Sequence, residues 1–128
     1  MRFPYLQFDD KYLPIIPVKL KGVEGWVEFK AFVDSGAGYS IFMFDIAEVL
    51  GIHLERGEKE FVKIGDGSFI EVFTFKLRVM IDEKEFDAKI GFSRGLGVGF
   101  NIIGRQDIFN NFKVCFDETG KSVDFIPI

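Results

Sequence analysis

A two-residue beat constrains this chain more than any other feature. Over residues 73–81, Phe75, Leu77, Val79 and Ile81 alternate with Lys76 and Arg78, and over residues 26–33, Val27, Phe29 and Ala31 alternate with Glu28 and Lys30. Successive side chains of a strand point to opposite faces, so this period predicts half-buried strands and excludes an amphipathic helix there. Turn chemistry then cuts the chain into hairpins. Gly65-Asp66-Gly67 joins residues 60–64 to 68–72, Asp82-Glu83-Lys84 joins 73–81 to 85–92, and Glu118-Thr119-Gly120-Lys121 joins 112–117 to 122–126. Pro14 and Pro17 place residues 12–20 at a sheet edge, because proline cannot donate to a ladder. Helical signals are few. Asp45 reads as the N-cap of a helix over 46–50 ended by Gly51, and residues 106–111 form a second short helix. The expectation is one all-β domain over residues 1–128 with one or two short helices.

Composition removes several function classes. Seventeen Phe and 48% hydrophobic residues in 128 supply a core rich in strand-favouring aromatics. A formal charge of −4 gives no basic field for phosphate backbones, so no nucleic-acid partner is expected. There is no CxxC, HExxH or GxxxxGK[ST], and the glycine-rich residues 91–99 lack GxGxxG spacing, so neither a metal nor a cofactor is expected. Cys115 sits among Phe112, Val114 and Phe116 and reads as a buried, inert thiol. His53, following Gly51-Ile52 at a helix end, reads as a surface or capping residue. No apolar run approaches a membrane span and no secretory leader is evident, so no membrane association and a cytoplasmic location are expected.

One stretch carries chemistry. Ala31-Phe32-Val33 runs without a break into Asp34, and Ser35-Gly36-Ala37-Gly38 follows at once. A carboxylate at the end of an apolar strand is costly unless it is hydrogen-bonded or paired. The glycines permit a tight turn that brings backbone amides to it, while Asp-Ser-Gly is also an ordinary turn tripeptide.

A second motif decides between these readings. About seventy residues after Phe32-Val33-Asp34-Ser35-Gly36-Ala37 comes Asn101-Ile102-Ile103-Gly104-Arg105, with the Gly65-Asp66-Gly67 hairpin between. In this order the motifs resemble the retropepsin-like aspartic proteases, which include retroviral proteases and the DNA-damage-inducible type. The likeness around residues 31–41 is nearer to the latter, and it spans roughly residues 18–112. The resemblance implies a closed acid-protease β-barrel and an aspartic endopeptidase with no cofactor. It makes Asp34 catalytic, with Ser35, Gly36 and Ala37 supporting the active loop. Gly65, Asp66 and Gly67 become the tip of a flap over a peptide or protein substrate, and Ile102, Ile103 and Gly104 pack beneath the loop. Aspartic proteolysis needs two carboxylates sharing a proton, and the chain holds one Asp-Ser-Gly, so a homodimer is implied. The alternative is a retropepsin-shaped module that holds a peptide or protein without cutting it. One departure stands out. Retroviral members commonly carry an Asp where this chain has Gly38, which leaves Arg105 without that partner and Asp107 and Asp45 as the candidates to replace it.

Overall fold

The computed structural model describes residues 1–97 and 99–128; Val98, within the glycine-rich stretch 91–99, lies outside the described residues. The chain runs through β1 (Arg2–Pro4), β2 (Leu6–Phe8), β3 (Lys11–Leu13), β4 (Ile15–Gly22), β5 (Gly25–Val33) and β6 (Ser40–Met43) to helix α1 (Phe44–Val49). There follow β7 (Glu58–Lys63), β8 (Phe69–Ile81), β9 (Lys84–Ser93), β10 (Asn101–Ile103), β11 (Phe112–Asp117) and β12 (Ser122–Pro127). The expected all-β class is what is found.

The main sheet has the order β4-β5-β10-β6-β9-β8-β7, and an additional β4–β8 pairing at Lys19↔Met80 and Leu20↔Val79 returns the ladder on itself. Pro17 lies where β4 pairs with β5 alone, so its missing N–H breaks no rung. All three expected hairpins are present: β7–β8 with Lys63↔Phe69, β8–β9 with Ile81↔Lys84, and β11–β12 with Asp117↔Ser122. The β8–β9 turn places Asp82 at φ 55, a left-handed conformation that a short polar side chain tolerates.

The core follows the two-residue beat. Val18 and Leu20 on β4, Val79 and Ile81 on β8, and Ile90 and Phe92 on β9 are all fully buried. Each such side chain contributes about 1.5–3 kcal/mol relative to exposure. Ile103, also fully buried, closes this core under the end of β5 through the parallel register Ile103↔Val33.

A separate three-stranded sheet, β1-β12-β11, gathers both ends of the chain. Tyr5 joins them from just beyond β1. Its N–H donates to the Lys121 carbonyl at 2.8 Å and its hydroxyl to Glu118 at 2.7 Å. Burial, and then the bond to the Glu118 carboxylate, push the Tyr5 phenol up to about 12, so it remains a donor at neutral pH.

Three local expectations are corrected. Helix α1 begins at Phe44, with Met43 in the N-cap position and no side-chain cap, so Asp45 lies inside the first turn, where its charge complements the helix terminus. The second helix shrinks to a 3-10 turn at Phe109–Asn111, because Asp107 at φ 64 cannot continue a right-handed helix. Cys115 is exposed, not buried: β11 turns Phe112 inward, and the alternation sends Lys113 and Cys115 out. No helix of the described residues is long and apolar enough to cross a membrane.

Ile103→Ala removes a fully buried side chain at the point where β10 meets β5, and is expected to cost about 2–5 kcal/mol. Urea denaturation reads this as a lower midpoint at unchanged slope; a midpoint equal to the parent's would contradict the placement of Ile103 in the core.

Candidate active site

Asp34 stands at the end of β5, half-buried, and the backbone around it is held from three sides. Its N–H donates to the Ile103 carbonyl at 2.9 Å, continuing the β5–β10 ladder, while the preceding Val33 N–H donates to Pro14 at 2.8 Å. The loop closes on itself where Ala37 N–H donates to the Asp34 carbonyl at 3.1 Å. From the far side, Arg105 and Gln106 donate N–H groups to the carbonyls of Ala37 and Gly38, each at 2.9 Å. Asp34 Oδ1 accepts the Gly36 N–H at 3.0 Å, which orients the carboxylate toward the loop amides.

The small residues here have steric reasons. A Cβ on Gly104 would stand 2.3 Å from the Tyr39 carbonyl oxygen and 2.9 Å from that of Ala37, so no larger residue fits beneath the loop. Buried Ser40 completes the packing, its hydroxyl accepting the Gly104 N–H at 3.0 Å. Thus Asp34, Ser35, Gly36 and Ala37 form one rigid turn, with Ser35 and Gly36 exposed at its crest. Nothing in its local sequence marked Ser40; only the arrival of β10 gives it a role.

Gly65, Asp66 and Gly67 lie at the tip of the β7–β8 hairpin, where Gly67 takes φ 87 and Cβ atoms on Gly65 or Gly67 would meet open space. Asp66 is engaged within the turn, accepting from the Ser68 N–H and hydroxyl, and these bonds hold its carboxyl below the usual range. The inner face of the hairpin carries Ile70 and Val72, packed with Ile41 and flanked by Val62, Ile64, Tyr39 and Leu96. The hairpin therefore rests on the strand that leaves the Asp34 loop. Among the described residues, no hydrogen bond joins 65–67 to 34–37.

Two groups escaped the sequence reading. Phe32, two residues before Asp34 and so on its sheet face, stacks on Phe100 at 5.1 Å, and Phe8 meets Phe100 edge-on at 5.5 Å. Phe8 and Phe100, with Leu6, Ile15, Phe29 and Met43, line a cleft of about 430 Å³. The sequence reading names Phe32 only in the apolar approach to Asp34; its position two residues back places it on the same face. The other group is an ion pair, Glu60 to Lys89 at 2.7 Å, with Thr74 donating to Glu60 at 3.0 Å and the Lys89 ammonium 5.3 Å from the Tyr39 ring centroid. It ties the hairpin arm to Tyr39, which follows the Asp34 loop, and no local pattern announces a contact between residues so far apart. The Lys89 bond holds Glu60 below the usual carboxylate range, and Glu60 raises Lys89 in turn.

Arg105 makes no ion pair or side-chain hydrogen bond among the described residues. Asp107 does not replace the missing partner, since its carboxylate accepts the Lys89 N–H at 2.9 Å. Among the described residues, no three His, Cys, Asp or Glu side chains converge as a metal site.

This architecture is the retropepsin fold. Among solved structures, the chain is similar to a retropepsin-like aspartic protease from Rickettsia conorii, with TM-score 0.69 and 20% identity over 96% of this chain and 97% of that one. It is also similar to EIAV protease complexed with the inhibitor HBY-793, with TM-score 0.59 and 19% identity over 82% of this chain and 92% of that one. No family model and no curated protein sequence matches the chain.

The Glu60–Lys89 pair gives a pH-dependent prediction. A depressed carboxyl contributes stability that is present above its unfolded pKa and lost as pH falls through the folded value; a raised lysine contributes below its unfolded pKa and loses this in strong alkali. Glu60→Gln should therefore destabilise by about 1–2 kcal/mol at about pH 7, and the gap to the parent should narrow at about pH 3. Urea midpoints at both pH values read this, and a gap that persists unchanged in acid would contradict it.

Proposed function

We propose that the chain is an aspartic endopeptidase, a single domain over residues 1–128 that acts as a homodimer with one Asp34 per subunit. The observation that carries the reading is a lone Asp-Ser-Gly carboxylate held by backbone hydrogen bonds at a strand end, in a chain of retropepsin fold whose glycine-tipped hairpin packs on the strand leaving that loop. One carboxylate cannot act as both base and acid in peptide hydrolysis. A twofold axis beside the loop supplies the second, and two carboxylates that close titrate as a unit.

In the proposed reaction, the ionised carboxylate takes a proton from a water while the protonated one donates to the scissile carbonyl oxygen. The water oxygen bonds to the carbonyl carbon. The carboxyl that took the water's proton then passes it to the nitrogen as the C–N bond of the tetrahedral diol breaks, and the other carboxylate takes a proton from a diol hydroxyl, which becomes the new carbonyl and restores the pair. No covalent enzyme intermediate and no cofactor enter. Gly36 offers backbone groups to an extended substrate, Ser35 braces the two loops across the axis, and Phe32 with Phe100 presents apolar surface to substrate side chains. The hairpin tip, Gly65 to Gly67, closes over the bound peptide and excludes water. Arg105, whose side chain makes no ion pair or hydrogen bond among the described residues, is one place where this site would differ from the retroviral pattern.

The test is Asp34→Asn, which keeps the shape of the loop and removes the acid. Peptide cleavage assayed from about pH 3 to about pH 7 should fall at least about 1,000-fold, with the parent most active on the acidic side. Equal cleavage by parent and variant would overturn the proposal. A parent that binds peptide but never cuts it would leave a binding module in its place.

A further inference from the structure

We propose that the cleft beside the β2–β3 hairpin is a second binding site, one that takes a medium-length alkyl carboxylate, with hydrocarbon inside and the acid at the mouth beside Lys30.

The cleft exists because one strand is short. In the main sheet β10 lies between β5 and β6, yet it begins only at Asn101, opposite Ala31. Before Asn101, no strand of the described residues fills the space between β5 and β6. The Asn101 side chain spans the end of this gap in place of a ladder rung: its Nδ2 donates to the Lys30 carbonyl and its Oδ1 accepts the Met43 N–H, both at 2.9 Å. Beside this bridge lies the cleft of about 430 Å³, lined by Phe29 and Met43 from the sheet and by Leu6, Phe8 and Phe100 from outside it.

The outer wall belongs to a separate element. Strands β2 and β3 form a two-stranded sheet of their own, with Leu6↔Leu13 and Phe8↔Lys11. A lone hairpin of this kind is marginally stable by itself, so this wall is the part of the cleft that yields most easily to an entering ligand. Alternation sets Leu6 and Phe8 on one face of β2, and both line the cleft. Phe8 is 40% exposed, so an apolar occupant gains burial against its ring.

The polar groups decide what else the occupant carries. Lys30 is the one charged residue of the lining, and it makes no ion pair among the described residues. It shares the face of β5 that carries Phe32, whose ring stacks on Phe100 in the cleft wall. A cation beside an apolar cleft matches an anion with a hydrocarbon tail. An extended peptide fits less well. The Asn101 amide is already bonded at both ends and Gln7 alternates to the other face of β2, so the peptide's own amides would lack side-chain partners inside.

No residue of the Asp34 turn lines the cleft. The two meet through Phe100, stacked on Phe32, and through Asn101, which opens the strand that holds Asp34. Binding here needs neither a second copy nor a competent acid, and so goes beyond the reading of Asp34.

Sodium octanoate is the probe, titrated into the full chain by isothermal calorimetry. One site per chain is expected, with equal affinity in the parent and Asp34→Asn. Phe8→Ala should weaken binding about tenfold, while Phe8→Leu, which keeps an apolar wall, should stay within about threefold of the parent. Lys30→Gln should also weaken octanoate about tenfold and leave 1-octanol unchanged. No saturable binding at about 5 mM octanoate would overturn the site, as would binding that neither Phe8→Ala nor Lys30→Gln weakens. Octanol held as tightly as octanoate, or a blocked apolar tripeptide held more tightly than either, would overturn the carboxylate as occupant. A parent that takes octanoate and cuts no peptide would overturn the functional reading and leave this site standing; one that cuts peptide and takes no octanoate would do the reverse.

Discussion

The hydrogen bond from the Asp34 N–H to the Ile103 carbonyl is the contact on which the candidate site depends. It is the terminal rung of a parallel pairing between β5 and β10, strands far apart in sequence. Without it, the Asp-Ser-Gly turn would be a loop among loops. With it, the carboxylate rises from the end of a ladder whose underside is Ile103 and the rest of the core. The same strand runs straight into Gly104, where the absence of a side chain lets the backbone pass under Tyr39 and hand the Arg105 and Gln106 amides to the loop. Positioning of the acid is thus a tertiary property assembled by two short motifs, each of which says little alone.

This explains which parts of the molecule could be read from residues. Hairpins were legible because both of their signals are local: a two-residue beat, and a turn such as Gly65-Asp66-Gly67, where Gly67 takes a φ of 87 that few other residues adopt. The Asp34 turn drew attention once Asn101 to Arg105 was set beside it, and the structure does bring these two motifs together. Helix boundaries were less legible. Met43 and Phe44 carry no capping signal, and Asp107 at φ 64 ended a helix that its neighbours favour. Cys115 was misplaced because Val114-Cys115-Phe116 is a continuous apolar run, which hides the alternation that exposes the thiol. Least legible were pairings between distant segments: Glu60 with Lys89, Ser40 with Gly104, Tyr5 with Glu118. No periodicity or spacing encodes them.

The β1-β12-β11 sheet is completed within one chain. Tyr5, Met1 and Ile128 all find hydrogen-bond partners in their own chain. The proposed chemistry would need a second copy, because a single carboxylate cannot divide the roles of base and acid. On the proposed function, the protein would fold first and become competent on meeting its like, with activity rising more steeply than protein concentration wherever dimer and folded monomer are in equilibrium.

The central claim is that each site draws one Asp34 from each of two chains, and a mixing experiment tests it most directly. Active parent is titrated with Asp34→Asn protein under conditions where subunits exchange, and peptide cleavage per parent chain is followed. At about nine-fold excess of the variant, most parent chains pair with a chain lacking the acid, and activity should fall to about one tenth. Cleavage that holds its full value through the titration would show that one chain carries the whole site, and would contradict the account.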